Sequence, residues 1–291
     1  MSATLALSPS TLAFRRFRRD WLSFGCAAFM VLVALVALFA PLIAPHDPAE
    51  SDLLRRLQPP AWMADGEWAY PLGCDGLGRD ILSRLIYGTR ISLGVGVVVV
   101  AGSTLIGAAA GVLAGFARGS IDAVISRLAE VLLGFPYLVF AIGLMGMMGP
   151  SLANIVLTLV LKEWVVSFRV ARGETLSARE QDYVEAARAL GCPRWRIMRG
   201  EIMPNILSPV LVVATIRMAS VIIMEASLSF LGLGVQPPAV SWGGMVADGR
   251  EFLGDAWWVA TVPGFAILLV VLATNLASQG LREALDPKLH R

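Results

Sequence analysis

The feature that constrains this chain most is a set of long apolar runs without a charged residue. The clearest run covers residues 91–117, between Arg90 and Arg118. A helix of about 20 predominantly apolar residues is long enough to cross the hydrocarbon core of a bilayer. Only 16% of the residues are charged and 56% are hydrophobic, whereas soluble domains carry about 25% charged residues. The sequence therefore predicts an all-α integral membrane protein.

The cysteines and histidines form no recognisable framework for disulfides or metal ions. The predicted topology places Cys26 in a span, Cys74 in an outside loop and Cys192 in the cytoplasm, so they fall in different compartments. The two histidines, His46 and His290, are far apart in the sequence. We therefore expect no metal site and no cofactor in this chain.

The N-terminal region predicts a retained span rather than a cleaved signal peptide. An apolar run at residues 21–44 follows a cluster of four arginines, Arg15, Arg16, Arg18 and Arg19. That run is longer than the about 7–15 residues of a signal-peptide core. We therefore assign residues 1–20 to an N-terminal tail and residues 21–43 to the first transmembrane helix.

The apolar runs predict six spans in all. Their approximate limits are residues 21–42, 91–117, 128–148, 152–170, 206–233 and 257–279, and Pro136 is expected to kink the third. Lysine and arginine favour cytoplasmic loops. The basic regions are the N-terminal tail, the loops at residues 118–127 and 169–199, and the C-terminal tail at residues 282–291. Both termini are therefore predicted to be cytoplasmic, with residues 89–281 forming the core of five further helices.

The first predicted outside region, residues 44–88, is acidic and rich in turn residues. Near its end, apolar side chains share one helical face, namely Ile81, Leu82, Leu85 and Ile86. This pattern predicts an amphipathic helix lying on the membrane surface before the second span. Trp62, Trp68 and Tyr70 are predicted to lie at headgroup level, where aromatic residues are enriched.

The second span carries a repeated small-residue motif. Gly107, Gly111 and Gly115 recur every four residues and so share one helix face. Such a face permits close packing of helices in lipid. Glycine is also generally abundant in membrane spans, so the motif alone leaves both interpretations open.

Four ionisable residues fall inside predicted spans, namely Lys162, Glu163, Arg217 and Glu225. A charge at mid-bilayer costs about 2.5–3.5 kcal/mol on insertion scales, so each needs a partner or water. They are candidates either for a polar transport pathway or for ion pairs inside the helix bundle.

A polar stretch at residues 182–209, which we call the elbow, separates the fourth and fifth spans. A short helix is predicted before Gly191, which suits a turn through positive φ. Pro193 suits the first turn of a second short helix. The small residues Ala186 and Ala187 permit close approach of a second surface, so the elbow suits docking of a rigid partner. The alternative is a basic loop whose arginines only fix the topology.

The order of residues in the elbow resembles the EAA loop of ABC importer permeases. The matching positions are Glu185, Ala186, Ala187, Gly191, Ile202 and Pro204. In that family the loop, here within residues 171–205, couples the permease to an ATPase subunit. The resemblance extends to C-type permease subunits of dipeptide, oligopeptide and nickel importers. It is carried by Leu72, Gly73, Asp75, Gly78, Arg79 and Asp80, by residues 231–238 with 241–243, and by residues 281–287. Lys162 departs from the family pattern.

The resemblance implies the type I importer permease architecture in a bacterial inner membrane. It implies a homologous B-type permease as partner, two ATPase subunits that bind ATP and Mg²⁺, and a periplasmic substrate-binding protein, with membrane lipid around the bundle and no nucleic acid. Such a chain moves di- or oligopeptides by alternating access and is not itself an enzyme. The same architecture also imports nickel complexes, glutathione and other small solutes, so the substrate stays open.

Two other functional classes fit the sequence less well. A secondary transporter more often shows inverted repeats and discontinuous helices, and no convincing internal repeat is visible. An intramembrane metalloenzyme would need a motif such as H-E-x-x-H, which the sequence lacks. Neither class needs a docking elbow.

Overall fold

A computed structural model describes residues 17–285, and the described chain is helical apart from turns and one isolated bridge between Cys74 and Asp80. The predicted arginines Arg15 and Arg16 and residues 286–291 lie outside this range. The helices are α1 (Trp21–Leu38), α2 (Ala40–Ile43), α3 (Ile81–Ala117), α4 (Gly119–Gly134), α5 (Tyr137–Met148), α6 (Leu152–Ala178), α7 (Asp182–Ala189), α8 (Arg194–Ile197), α9 (Met203–Phe230), α10 (Trp242–Gly249) and α11 (Trp258–Leu285). A π-helical turn, Met198–Ile202, joins α8 to α9.

Four described helices are long and apolar enough to cross a membrane, or five if the bent pair α4–α5 forms one span. The four are α1, α3, α9 with the preceding turns, and α11. The helix α6 is not among them because its middle contains Lys162, Glu163 and Arg169. The count of six spans therefore remains a prediction.

The amphipathic helix predicted before the second span is not a separate surface helix. It forms the first turns of α3, which begins at Ile81 after the N-cap Asp80 and continues to Ala117. Both faces of these turns are covered by protein: Ile81 is buried, and the Trp242 indole donates to the Leu85 carbonyl at 2.9 Å. Packing against α10 has replaced the predicted contact with the membrane surface.

The third predicted span is broken rather than kinked. Helices α4 and α5 meet at an angle of 94° on either side of Phe135 and Pro136. Proline lacks a backbone N–H and its ring clashes with the preceding turn, so it ends a helix readily. The predicted kink at Pro136 is therefore a full change of direction.

The core is organised around α3, and its glycine motif forms a close seam with α6. A Cβ at Gly107 would touch the Trp164 carbonyl, and one at Gly111 would lie 2.7 Å from the Phe168 carbonyl oxygen. A Cβ at Gly115 would lie 2.9 Å from Cβ of Thr175. The prediction that this face permits close helix packing is confirmed.

The two ends of α3 lie in different surroundings. At its first turns, residues 44–80 and α10 form what we call the segment end, where Ile81 packs with Trp242 and Met245. At its last turns, Val112 and Phe116 pack against the elbow. A 37-residue helix is about 55 Å long, which is more than the about 30 Å thickness of a bilayer's hydrocarbon core. The segment end and the elbow therefore lie at opposite ends of a helix that is long enough to cross a membrane.

Candidate functional sites

The elbow forms the helix–glycine–helix turn that its sequence predicts. Helix α7 ends in a Schellman motif, in which the Gly191 N–H donates to the Arg188 carbonyl at 2.9 Å and the Cys192 N–H donates to the Ala187 carbonyl at 3.1 Å. Gly191 has φ +75°, and a Cβ there would meet no atom of this chain within 4 Å. The space beside Gly191 is open.

The elbow divides into a buried face and an exposed face. Val184, Ile197 and Ile202 are buried against the last turns of α3 and against α6. Leu190 and Trp195 are 83% and 60% exposed although both are apolar. The elbow is therefore fixed from beneath while its other surface remains uncovered.

The six residues predicted for coupling fall on both faces. Glu185, Ala186, Gly191 and Pro204 are exposed, Ala187 is half-buried, and Ile202 is fully buried. A partner can reach the first four directly. Ile202 instead contributes to the anchor of the elbow.

Arg179, which sequence reasoning did not single out, ties the end of α6 to the end of α3. Its Nη1 donates to the carbonyl oxygens of Phe116 at 2.7 Å and Gly115 at 3.2 Å. These carbonyls belong to the last turn of α3, where helices leave acceptors unpaired. The only sequence signal was a basic residue near a span end, which did not distinguish Arg179 from the other arginines there.

Glu163 and Arg217 form an ion pair between α6 and α9. The Arg217 guanidinium donates from Nε to Oε2 and from Nη2 to Oε1 of Glu163, both at 2.8 Å. The Glu163 side chain is 4% exposed. This bidentate geometry is the strong form of the arginine–carboxylate interaction, and it connects the two helices that flank the elbow.

Glu225 has serine partners instead of a cation. It is fully buried on α9, where Ser229 donates to its Oε1 at 2.7 Å and Ser92 of α3 donates to its Oε2 at 3.2 Å. Ser241 donates to Ser229 at 3.1 Å, and the Trp242 N–H donates to Ser92 at 3.3 Å. The network therefore joins α3, α9 and the start of α10 at the segment end.

Lys162 lies at the break between α4 and α5. Its Nζ donates to the carbonyl oxygens of Leu132 and, at 2.7 Å, Phe135. Pro136 has no N–H to donate to the Leu132 carbonyl four residues before it, so the helical hydrogen-bond ladder stops there. Lys162 therefore lies at the point where the broken helix exposes its acceptors.

The segment end contains an ion-pair network that was not predicted as a unit. Arg79 pairs with Asp75 at 2.7 Å and with Asp248 at 3.3 Å, and Arg84 pairs with the same two carboxylates at 3.2 and 3.1 Å. Beside it, Cys74 is fully buried, and burial raises the pKa of its thiol to about 12. The sequence suggested Asp75 and Arg79 through a family pattern, but it did not place Asp248 beside them.

Most of the chain matches known family models. Residues 107–291 match the model of the binding-protein-dependent transport system inner membrane component. Residues 8–60 match the N-terminal transmembrane domain of oligopeptide transport permease C. The first match includes the elbow and all four charged residues within the predicted spans.

Curated relatives match over nearly the whole chain. The di/tripeptide transport system permease protein DppC of Pseudomonas aeruginosa is 41% identical, covering 98% of this chain and 96% of its own. The dipeptide transport system permease protein DppC of Escherichia coli K12 is 42% identical, covering 99% and 96%.

Solved structures agree in fold. Inward-facing conformations of the MetNI methionine ABC transporter include a chain that matches with a TM-score of 0.56 at 19% identity, over 69% of this chain and 96% of that one. An amino acid ABC transporter crystallised with histidines gives a TM-score of 0.52 at 19% identity, over 69% and 94%. The chain is a member of the binding-protein-dependent transport system inner membrane component family and is therefore a multi-pass permease of the bacterial inner membrane.

Proposed function

We propose that this chain is one permease subunit of an ATP-driven importer of short peptides, coupled to an ATPase subunit through the elbow. The observation that carries the proposal is the elbow's exposed apolar surface on a buried anchor. Leu190 and Trp195 are uncovered while Val184 and Ile202 hold the turn in place. Exposed apolar surface of this kind marks interaction sites. The elbow's small residues also allow close approach of a partner.

The names of the full-length relatives support peptides as the substrate class. The sequence has no G-x-x-x-x-G-K-[ST] phosphate loop, so ATP and Mg²⁺ bind in two separate ATPase subunits. A homologous B-type permease completes the pathway, and a periplasmic binding protein delivers the substrate. The segment end faces the periplasm and the elbow faces the cytoplasm, with six spans between them.

Transport proceeds by alternating access. The ATPase pair binds ATP more tightly in one arrangement, and this difference in affinity shifts the permease between its two states. The elbow transmits the shift because it joins α6 to α9. Arg179 and the glycine seam attach α3 to α6, so α3 moves with them.

The charges within the predicted spans serve the assembly of this moving unit. Glu163 and Arg217 hold α6 to α9, and Glu225 holds α9 to α3 and α10. Lys162 supports the broken helix through carbonyl oxygens. None of the four needs to contact the substrate for this role.

The test is uptake by proteoliposomes containing both permeases, the ATPase subunits and the binding protein. We expect accumulation of radiolabelled Ala-Phe that requires ATP and every component. Nickel complexes and glutathione are compared in the same vesicles. Uptake of either in place of peptide would overturn the substrate class, and peptide uptake driven by an ion gradient without the ATPase subunits would overturn the coupling role.

A further inference from the structure

The segment end contains a cavity of about 700 Å³ that the coupling mechanism does not use. It lies between residues 53–79, the end of α9 and the residues around α10. Its walls combine apolar side chains, among them Leu77 and Phe230, with three arginines, Arg56, Arg79 and Arg250. Small-molecule sites have volumes of about 300–1,000 Å³, with mostly apolar walls and a few polar groups. The cavity has the size of such a site, and its walls are more charged than is usual for one.

Two of its arginines have guanidinium groups free to bind a ligand. Arg56 lies over the Phe252 ring at 6.0 Å and Arg250 lies over the Phe230 ring at 5.9 Å. Neither forms an ion pair with a residue in the described part of the chain. Both arginines are exposed, so their N–H groups are available to a ligand. Arginine binds carboxylates through two parallel hydrogen bonds.

The inner wall already binds a carboxylate. Asp248, whose side chain is 51% exposed, accepts from Arg79 and from Arg84. Arg84 is 5% exposed, and its Nη1 has no hydrogen-bond acceptor in the described chain although Asp75 lies 3.2 Å away. The wall at Asp248 therefore already pairs a carboxylate with arginine, although Arg84 itself lies behind the cavity and does not line it.

The cavity also offers one free carboxylate. Glu251 lines the same wall and forms no ion pair within residues 17–285. A ligand with an anionic end and a cationic end would pair with both kinds of group at once. A short linear peptide at neutral pH has this distribution of charge, with a C-terminal carboxylate and an N-terminal ammonium.

We infer that this cavity binds a short peptide, with the C-terminal carboxylate at Arg56 and Arg250 and the apolar side chains against Phe230 and Leu77. The inference rests on the proposed function for its substrate class. It adds a recognition site in the permease itself, on the side where substrate arrives.

The experiment measures protection of a thiol in the cavity of the assembled transporter, without binding protein. Leu77→Cys is the reporter because Leu77 lines the cavity and is 48% exposed, and Ala247→Cys is a second reporter because Ala247 lines the same cavity. Labelling of each position by a thiol reagent is followed by mass spectrometry. The probes are Ala-Phe and its C-terminal amide.

We expect Ala-Phe to slow labelling at both reporters. Its amide should need an about tenfold higher concentration for the same protection, because a charged hydrogen-bond partner is lost. Arg250→Gln should remove this difference. Arg55→Gln is the matched control, because Arg55 belongs to the same segment, pairs with Glu67 and does not line the cavity. It should leave the difference intact.

Equal protection by acid and amide, or no protection at either reporter, would overturn the inference. Protection that appears only when peptide-free binding protein is added would also overturn it, since a docked protein would then be the occupant. Binding-protein-dependent uptake of Ala-Phe in the same preparation tests the proposed function separately. Uptake without selective protection removes the cavity site and leaves the importer assignment standing.

Discussion

Gly78 at the segment end and Gly191 in the elbow adopt almost the same backbone conformation in opposite surroundings. Their φ angles are +73° and +75°. A Cβ at Gly78 would lie 2.6 Å from the carbonyl carbon of Asp52, whereas a Cβ at Gly191 would meet nothing within 4 Å. The left-handed turn at Gly78 lets the chain pack on itself. The same turn at Gly191 shapes a surface that no part of the described chain covers.

The side chains around the two glycines repeat this difference. At the segment end, Asp80 caps α3 and is 2% exposed, and it also contacts His46 through Nδ1 at 3.3 Å. His46 in turn stacks on the Tyr70 ring at 4.5 Å. In the elbow, Leu190 is 83% exposed. The turn at Gly78 is therefore closed by its own chain, whereas the turn at Gly191 leaves an apolar side chain uncovered beside it.

The largest effect is expected from Gly78→Ala. A left-handed conformation costs a non-glycine residue roughly 1–2 kcal/mol, and overpacking against fixed backbone adds about 1–3 kcal/mol. The thermal transition of the purified permease pair should fall clearly, with a lower yield of assembled complex. Gly191→Ala is the matched control, because it carries only the first cost. Equal losses of stability in the two variants would contradict the contrast between the closed turn at Gly78 and the open turn at Gly191.

The second prediction concerns coupling at the open turn. Gly191→Asp places a side chain and a charge in the free space beside the elbow, so it should leave assembly of the permeases nearly intact. Uptake in proteoliposomes should fall at least about tenfold, because a clash or an unpaired charge at a docked interface costs several kcal/mol. The readouts are uptake and substrate-stimulated ATP hydrolysis in the same vesicles. Normal values for both would rule out the elbow as the coupling surface.

Local sequence patterns predicted the elbow and the glycine seam because both depend on short-range rules. Gly191 follows a short helix, which is enough to predict a C-terminal turn. Gly107 and Gly111 lie four residues apart, which is enough to define one helix face. In each case the structure supplied what the pattern could not, namely the open space beside Gly191 and the identity of α6 as the partner helix.

Features that depend on distant residues were not predictable in the same way. The first turns of α3 have an amphipathic pattern, but Trp242 covers them from the start of α10, more than 150 residues away. The pairing of Arg84 with Asp248 has no local signature either. Hydropathy also could not decide between a kink and a 94° break at Pro136, because a kinked helix and a broken helix can have the same apolar residues on both sides of the proline.

A smaller effect is expected from Glu225→Gln at the segment end. Glutamine keeps the shape and one acceptor oxygen for the serines around it, so the loss should be about 1 kcal/mol, the usual net value of one hydrogen bond. Uptake should remain close to normal. Glu225→Leu is the comparison, because it leaves Ser92 and Ser229 without their acceptor and should lower complex yield and uptake together. Loss of uptake in Glu225→Gln with full assembly would indicate a pathway role instead.

The smallest effect concerns the reactivity of a thiol, with no change in transport. Cys74 is fully buried and the pKa of its thiol is raised from 9.0 to about 12, so little thiolate, the reactive form, is present in the folded protein below that pH. Since the unfolded thiol ionises near its ordinary pKa, the neutral buried group contributes stability below about pH 9 that is lost as pH rises towards 12.

Cys74 should therefore resist an impermeant maleimide in intact cells at pH 7.5 and react only after denaturation. Ser51→Cys is the matched control, because Ser51 belongs to the same segment and is exposed. It should react from outside the cell if the segment end faces the periplasm, whereas Cys192 in the elbow should react only after permeabilisation. Labelling of Cys74 as fast as the Ser51→Cys thiol would show that the segment end opens. Labelling of Cys192 in intact cells, with Ser51→Cys protected, would reverse the orientation of the whole chain.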